Sequence, residues 1–320
     1  MALARSAPQK LFGVDTVDFA GHAADPAQFG RDLVASLRDT GFVVLTRHTI
    51  DPAAIAATEA AAKDFFALPA DTKSRYAMPD WHYQRGYSPL GTENAKNRRA
   101  PDLKEFWHVG RSTIPGLPGT PDVVESPAFN TASRALFEQM DAFARTLMVA
   151  IGQTLEMSEA DMRAALVNGN SILRLLHYPP LAGDPDVIEG EVQVRAAAHE
   201  DINLLTLLLG AEEAGLEVMH RSGQWMAVNP PPGAVVVNAG DMLARLTGGE
   251  LPSTTHRVVN PAPERSSHSR YSMPYFLHPA NDFVLEALPS CVARGATAEP
   301  PIRADDYLRE RLEEIGLKTK

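Results

Sequence analysis

His199 and Asp201 stand two positions apart in a stretch that is typical of a β-strand. Residues i and i+2 of a strand project to the same face, so an imidazole nitrogen and a carboxylate oxygen can converge there on one cation. A His-x-Asp tripeptide alone is weak support for a metal site, because such tripeptides occur in many chains by chance.

A third possible ligand is His256, which lies in a second β-type run downstream. Two imidazoles and one carboxylate can occupy one face of an octahedron and leave positions open, as in non-haem Fe(II) oxygenases. The same set also serves catalytic zinc, so these residues alone leave the metal open. Cys291 is the only cysteine, which excludes a disulfide within the chain and a cysteine-based zinc cage.

A candidate anion site follows at Arg270 and Ser272, again two positions apart in a β-type run. A guanidinium can hold a carboxylate through two hydrogen bonds, and a neighbouring hydroxyl can add a third. A salt bridge at the rim of the protein explains the same pair equally well on spacing alone.

Composition limits the class of protein. The chain has 320 residues, of which 44% are hydrophobic and 22% charged, so it can bury a substantial core. The formal net charge of −10 has the wrong sign for a protein that neutralises nucleic-acid phosphates. The apolar runs are too short to span a membrane, and no apolar stretch follows the basic N-terminus as in a signal peptide. We expect a soluble cytoplasmic protein without nucleic-acid or membrane partners; the oligomeric state is left open.

The elements that carry these residues are short β-type runs separated by turn residues. Eight runs are expected, at 171–177, 192–199, 203–209, 215–219, 225–229, 234–238, 255–259 and 270–277. This pattern predicts a mainly β core within an α+β protein, built as a jelly roll with flanking helices.

The first half of the chain is predicted to be mainly helical. Gly41 is placed to end one helix before a strand at 42–45, and Asp51 with Pro52 is placed to begin the next. A longer helix follows around 136–151, and Ser158 with Asp161 resembles a capping box. A last helix is expected around Leu308 to Ile315.

The long polar segment 70–126 contains several aromatic residues and connects two of these helices. Connections of this length in a compact protein more often have a function of their own than serve only as linkers. We expect a lid or a pocket wall here.

The combined motifs resemble the Fe(II)/2-oxoglutarate-dependent dioxygenase superfamily, in particular its isopenicillin N synthase-like branch. The resemblance rests on His199-x-Asp201, His256 and Arg270-x-Ser272 together with the stretches 199–206, 237–241, 255–258 and 270–276. In the first half, residues 40–45, 85–87 and 104–106 are similar to the same branch. The resemblance covers nearly the whole chain and implies a double-stranded β-helix.

The resemblance also implies roles for individual residues. His199, Asp201 and His256 would bind Fe(II), and Arg270, Ser272 and Tyr178 would hold the distal carboxylate of the cosubstrate 2-oxoglutarate. The implied reaction uses O2 to oxidise a C–H bond of a small molecule, most commonly by hydroxylation, with release of succinate and CO2. No catalytic side chain beyond the metal ligands is implied.

Three further residues are candidates for binding the prime substrate, namely Phe276, Arg174 and Arg195. The identity of the prime substrate is left open.

The organisation expected is a mainly helical region over 1–168, a jelly-roll core over 169–285 and a helical tail over 286–320, all integrated into one domain.

Three alternatives remain at this stage. Oxidases of the isopenicillin N synthase or ethylene-forming type keep the Arg-x-Ser pair without using 2-oxoglutarate. A non-catalytic jelly-roll protein could use the same residues to sense a metal or a small acid. A zinc hydrolase lacks a convincing general base, because Glu200 projects to the opposite strand face from both neighbouring ligands.

Overall fold

The computed structural model describes residues 9–11, 13–92, 102–180, 187–188, 191–192, 194–209, 215–260 and 267–314. The strands are β1 (Gln9–Leu11), β2 (Val14–Asp18), β3 (Phe42–Thr46), β4 (Gly86–Ser88), β5 (Glu105–Gly110), β6 (Ile172–Tyr178), β7 (Val187–Ile188), β8 (Glu191–Val192), β9 (Ala196–His199), β10 (Leu205–Leu209), β11 (Leu216–Met219), β12 (Trp225–Ala227), β13 (Val235–Ala239), β14 (His256–Val258), β15 (Arg270–Leu277), β16 (Val284–Leu285) and β17 (Ile302–Arg303). The helices are α1 (Ala20–Ala24), α2 (Pro26–Thr40), α3 (Pro52–Phe66), α4 (Ala70–Ser74), α5 (Pro127–Thr154), α6 (Glu159–Leu166), α7 (Asp241–Leu246), α8 (Pro289–Ala293) and α9 (Ala304–Glu314), with a 3-10 turn at Pro79–Trp81.

Two sheets form the core of the fold. The large sheet has nine strands in the order β1-β2-β3-β13-β10-β15-β6-β5-β4, and the small sheet has four in the order β12-β11-β14-β9. The pairs among β13, β10, β15 and β6 and all pairs of the small sheet are antiparallel. These eight strands make the predicted jelly roll, and they correspond to the eight predicted β runs.

The two faces of the large sheet pack against different partners. Side chains such as Leu207, Val237 and Tyr275 belong to the main apolar core, which also contains residues of α2, α3 and α5. Side chains at alternating positions, such as Val236 and Leu208, pack toward the small sheet. The space between the sheets is therefore lined by the alternate residues of each strand, which is the period of two that strands impose.

The predicted helix signals agree with the structure. Gly41 ends α2 in the left-handed region at φ 74°, where a side chain would be strained. The Asp51 side chain accepts a hydrogen bond at the start of α3, and Ser158 does the same for α6. The last helix is present as α9; Ile315 lies outside the described residues.

The first half also contains strands that the sequence analysis did not predict. β2, β4 and β5 join the same large sheet as the core strands, so segment 70–126 is partly sheet. Glu105 begins β5 and looks like a surface residue, but its side chain is buried against Lys73. A charged pair buried within a strand does not produce the apolar alternation by which strands are recognised.

Within the described residues, no helix is both long and apolar enough to cross a lipid bilayer.

Candidate metal centre

Three side chains of the predicted metal site converge between the two sheets. His199 ends β9 and His256 begins β14, and these two residues are direct partners in the small sheet. Asp201 Oδ1 lies 3.8 Å from His199 Nε2, and Asp201 Oδ2 lies 3.7 Å from His256 Nε2. One potential ligand atom from each residue lies within 4.8 Å of the others, a spacing that one cation can bridge.

The route to this convergence differs from the prediction for His199 and Asp201. The strand ends at His199, so Asp201 lies in the connection to β10 and does not share a strand face with the histidine. The expected face-sharing within one strand was wrong, although the two side chains do meet. The turn after β9 brings the carboxylate back toward both imidazoles.

Hydrogen bonds fix the orientation of each imidazole. His199 Nδ1 lies 2.7 Å from the carbonyl oxygen of Ala197, and His256 Nδ1 lies 3.1 Å from that of Thr254. A carbonyl only accepts, so each Nδ1 carries a proton, and in the neutral imidazole Nε2 is then the atom that offers a lone pair. Burial, followed by the nearby His256, lowers the pKa of His199 and favours its neutral, ligating form.

Two hydrogen bonds fix the orientation of the Asp201 carboxylate. Its Oδ2 accepts hydrogen bonds from Thr206 Oγ1 at 2.6 Å and from Asn238 Nδ2 at 2.9 Å. Burial alone would raise the pKa of Asp201, but the two imidazoles and these two donors outweigh it and lower that pKa. Asp201 is therefore kept ionised, as a metal ligand must be.

Gly240 is required by close packing beside this loop. A Cβ atom at this position would lie 2.7 Å from the carbonyl oxygen of Asp201 and would also overlap Asn203. Only glycine lets the end of β13 approach the Asp201 loop, which lets Asn238 on β13 reach the carboxylate.

The candidate anion site lies on the inner face of the large sheet. Arg270, the first residue of β15, pairs with Tyr178, the last residue of β6. The guanidinium carbon of Arg270 lies 5.0 Å from the centre of the Tyr178 ring. Ser272 follows on the same strand face, and all three residues are at most 5% exposed. A buried guanidinium beside two hydroxyl groups suits a carboxylate ligand.

Arg174 and Phe276 lie together on the same inner face. The Arg174 guanidinium lies between two aromatic rings, 4.3 Å from the centre of Phe106 and 5.4 Å from that of Phe276. Its Nε donates to His108 Nε2 at 2.6 Å, and His108 Nδ1 lies 2.7 Å from the carbonyl oxygen of Tyr83. Phe106, His108 and Tyr83 come from segment 70–126, so this segment packs around Arg174 on the inner face.

Arg195 lies apart from Arg174, at the Tyr178 end of the inner face. Its guanidinium carbon lies 5.9 Å from the Tyr178 ring, and its Nη2 donates to the carbonyl oxygen of His268 at 3.1 Å. The structure thus places Arg195 near the candidate anion site and places Arg174 and Phe276 together elsewhere on the face.

Three residues at or near the centre had no predicted role. Thr206 and Asn238 support Asp201, and both lie within stretches that resemble the dioxygenase family without having been assigned a role. His278 follows Phe276 by two positions, and burial lowers its pKa. The alternation along β15, which runs Arg270, Ser272, Phe276, was the signal that could have pointed to His278.

The donor set fits Fe(II). Two imidazole nitrogens and one carboxylate oxygen converge, and this is the ligand type and number of a facial site with open positions. The buried residues of the candidate anion site lie on the large sheet, whereas both histidines lie on the small sheet.

Comparisons with known proteins agree with this chemistry. The sequence profile of the 2OG-Fe(II) oxygenase superfamily matches residues 169–279, and that of the "non-haem dioxygenase in morphine synthesis N-terminal" region matches residues 14–127. A "2-oxoglutarate-Fe(II) type oxidoreductase hxnY" from Emericella nidulans is 31% identical over 296 residues, which cover 87% of this chain and 83% of that protein.

Two solved structures extend the similarity to the fold. A 2OG-Fe(II) oxygenase family protein from Caulobacter crescentus is 44% identical and superposes with a TM-score of 0.85, covering 95% of this chain and all of that one. A full-length Neurospora crassa protein in complex with alpha-KG and thymine is 29% identical, with a TM-score of 0.83 and coverage of 96% of this chain and 99% of that one. The chain belongs to the 2OG-Fe(II) oxygenase superfamily and is an iron- and 2-oxoglutarate-dependent oxidoreductase.

Proposed function

We propose that His199, Asp201 and His256 are the Fe(II) ligands of an oxygenase that hydroxylates a C–H bond of a small molecule. The observation that carries this proposal is the meeting of their three ligand atoms within 4.8 Å of one another. The fixed Nδ1 protons of both histidines and the ionised state of Asp201 prepare the three atoms for a cation before it arrives.

Arg270, Ser272 and Tyr178 are proposed to hold the distal carboxylate of 2-oxoglutarate. The Arg270 guanidinium donates through its fork, and the two hydroxyl groups complete the set of donors. Burial of the three side chains strengthens these hydrogen bonds, because water does not compete for the carboxylate.

Bound Fe(II), together with 2-oxoglutarate and O2, supplies an oxidant for a C–H bond while 2-oxoglutarate leaves as succinate and CO2. The protein contributes placement and exclusion of water. No side chain is assigned the role of general base.

Phe276 and Arg174 are proposed to contact the prime substrate. Phe276 pairs with Thr206, the residue that donates to Asp201, so its side chain stands on the inner face close to the metal centre. Arg174 offers positive charge against an aromatic wall, which suits a small substrate with an acceptor group. Arg195 lies at the cosubstrate end, so its proposed contact applies to a substrate long enough to reach Tyr178. The thymine complex of the Neurospora crassa protein supports a small molecule as the substrate class.

We further propose that the regions 1–168, 169–285 and 286–320 act as one folded unit. Strands β2, β3, β4 and β5 of the first region are hydrogen-bonded into the same sheet as the core strands, which supports this organisation. A single cooperative unfolding transition of the full chain, seen by both calorimetry and circular dichroism, is the expected result; two separate transitions would contradict it.

The experiment that tests the function is a screen of small molecules that follows succinate release. Fe(II)-loaded protein, 2-oxoglutarate and O2 should form succinate faster with a true substrate, with one hydroxylated product per succinate. The His199→Ala variant serves as the control and should form none. Turnover of a substrate without 2-oxoglutarate consumption would instead identify an oxidase of the isopenicillin N synthase type.

A further inference from the structure

A buried polar network lies behind the candidate carboxylate site, on the opposite face of the large sheet. Glu105, His177 and Tyr271 are direct partners across β5, β6 and β15. Each of the last two is a neighbour in sequence of a residue on the inner face, since Tyr178 follows His177 and Arg270 precedes Tyr271. Adjacent residues of a strand point to opposite faces, so the network and the anion site share the same backbone.

Glu105 is the centre of this network. Lys73 Nζ donates to its Oε2 at 2.7 Å and to the carbonyl oxygen of Phe66 at 2.9 Å, and the Tyr87 hydroxyl donates to the same carboxylate. His177 Nδ1 lies 2.8 Å from Glu105 Oε1. The carboxylate thus ties strand β5 to β4, β6 and the helical layer, with its side chain only 5% exposed.

His177 links Glu105 to the residues at the start of β15. A carboxylate only accepts, so His177 Nδ1 donates to Glu105, and Nε2 lies 2.9 Å from Ser269 Oγ. The imidazole also stacks on the Tyr271 ring at 4.8 Å between centres and 14° between planes. His177 therefore contacts the residues immediately before and immediately after Arg270.

The candidate anion site lies at the end of a strand pair, where contacts from outside the pair can hold its geometry. Arg270 is the first residue of β15 and Tyr178 the last residue of β6, and they form the terminal pair of their ladder. Strand ends open more readily than strand centres, because pairing holds them from one side only. A residue pair that binds a carboxylate at a strand end therefore needs additional contacts, from outside the strand ladder, to keep its geometry.

We propose that Glu105 and His177 are positioning residues for cosubstrate binding, which hold the Arg270–Tyr178 strand end in the geometry that accepts the distal carboxylate of 2-oxoglutarate. The inference rests on the proposed roles of Arg270 and Tyr178. Neither Glu105 nor His177 touches the cosubstrate, and their effect passes through Ser269, Tyr271 and the shared backbone.

The test compares 2-oxoglutarate with 2-oxobutyrate, which has the same chelating keto acid but no distal carboxylate. Binding of each to Fe(II)-loaded protein is titrated without O2, by the metal-to-ligand absorption. The variants are Glu105→Gln, which keeps the side-chain size, and Ser269→Ala, which removes the hydroxyl that His177 and Tyr271 contact and leaves the buried carboxylate in place. Asp141→Asn is the matched control, because Asp141 is also a buried carboxylate on the helix-facing side but is bonded to Tyr275 and Arg111.

Both test variants should weaken 2-oxoglutarate binding, Glu105→Gln by about tenfold, which is what loss of a charge-assisted hydrogen bond costs. Binding of 2-oxobutyrate should stay within about twofold of the unmodified protein, the change expected for a site outside the affected contacts. The Asp141→Asn control should leave the affinities for both acids unchanged, whatever it does to the melting temperature.

Equal losses for both keto acids, or unchanged 2-oxoglutarate affinity in both variants, would overturn the positioning role. Ser269→Ala decides the matter if Glu105→Gln does not fold. The unmodified protein must show the absorption with 2-oxoglutarate; its absence there would contradict the proposed function itself, and this inference with it.

Discussion

Thr206 donates a hydrogen bond of 2.6 Å to Oδ2 of Asp201, while Oδ1 of the same carboxylate lies 3.8 Å from His199 Nε2. The oxygen that Thr206 holds also lies 3.7 Å from His256 Nε2, so this hydrogen bond fixes the carboxylate between the two imidazoles. A hydrogen bond of this kind, from a residue that does not bind the metal itself, orients the ligand and changes its affinity for the metal.

Replacement of Thr206 by valine should weaken Fe(II) binding by about tenfold or more, the usual effect of losing such a supporting contact. Titration of the metal without O2, by calorimetry, measures this. Thr58→Val is the matched control, since Thr58 is also buried but donates only to the carbonyl oxygens of Ala54 and Ala132. Equal metal affinities in the two variants would contradict a supporting role for Thr206.

The carboxylate site makes a separate prediction. Arg270→Gln should raise the dissociation constant of 2-oxoglutarate by about a hundredfold, as expected when a buried ion pair loses one partner. The Fe(II) affinity should hardly change, because the metal ligands lie on other strands and a loop. Arg257→Gln, whose guanidinium lies over Trp225 on the small sheet, is the control and should leave both affinities intact. Loss of metal binding in Arg270→Gln would count against the assignment.

Arg174 separates substrate binding from cosubstrate binding. Arg174→Met keeps an apolar stem between Phe106 and Phe276 but removes the charge and the hydrogen bond to His108. We expect a higher KM for the prime substrate, with an unchanged dissociation constant for 2-oxoglutarate. Steady-state kinetics on the substrate found by the succinate screen measure the first quantity, and the absorption titration measures the second. An unchanged KM for the prime substrate with a higher dissociation constant for 2-oxoglutarate would instead assign Arg174 to the cosubstrate site.

His278 predicts a pH dependence of stability. Burial lowers its pKa from 6.5 to about 4. The unfolded chain therefore binds this proton at a higher pH than the folded protein does, so the free energy of unfolding should fall as the pH decreases from about 6.5 to about 4. In His278→Gln this part of the decrease should be absent.

Urea unfolding of the metal-free protein at several pH values measures the effect. The exposed His220 provides the control, because His220→Gln should keep the full decrease. Identical pH profiles for His278→Gln and the unmodified protein would contradict the lowered pKa of His278 in the folded protein.

The parts of the site that were predictable from the sequence are those marked by residue type and spacing. His199, Asp201, His256, Arg270 and Ser272 are each chemically distinctive, and a period of two placed the last pair on one face. The jelly roll was predictable because its strands are apolar runs bounded by turn residues.

The remainder depends on contacts between distant segments. Glu105 looks like a surface residue until Lys73 and His177 are brought to it from elsewhere in the chain. Thr206 and Asn238 are ordinary strand residues by type, and only the folded sheet brings both of them to Asp201. The course of the turn after β9 was also not predicted, because the expected run ended at residue 199 and its end does not fix where the turn places Asp201.

The central claim is that His199, Asp201 and His256 hold Fe(II) beside a site for 2-oxoglutarate. Addition of 2-oxoglutarate to the Fe(II)-loaded protein without O2 tests it most directly, through the weak metal-to-ligand absorption that chelation of the iron produces. We predict a saturable absorption in the unmodified protein that is absent in His199→Ala. No absorption in the unmodified protein, or an equal absorption in His199→Ala, would contradict the claim.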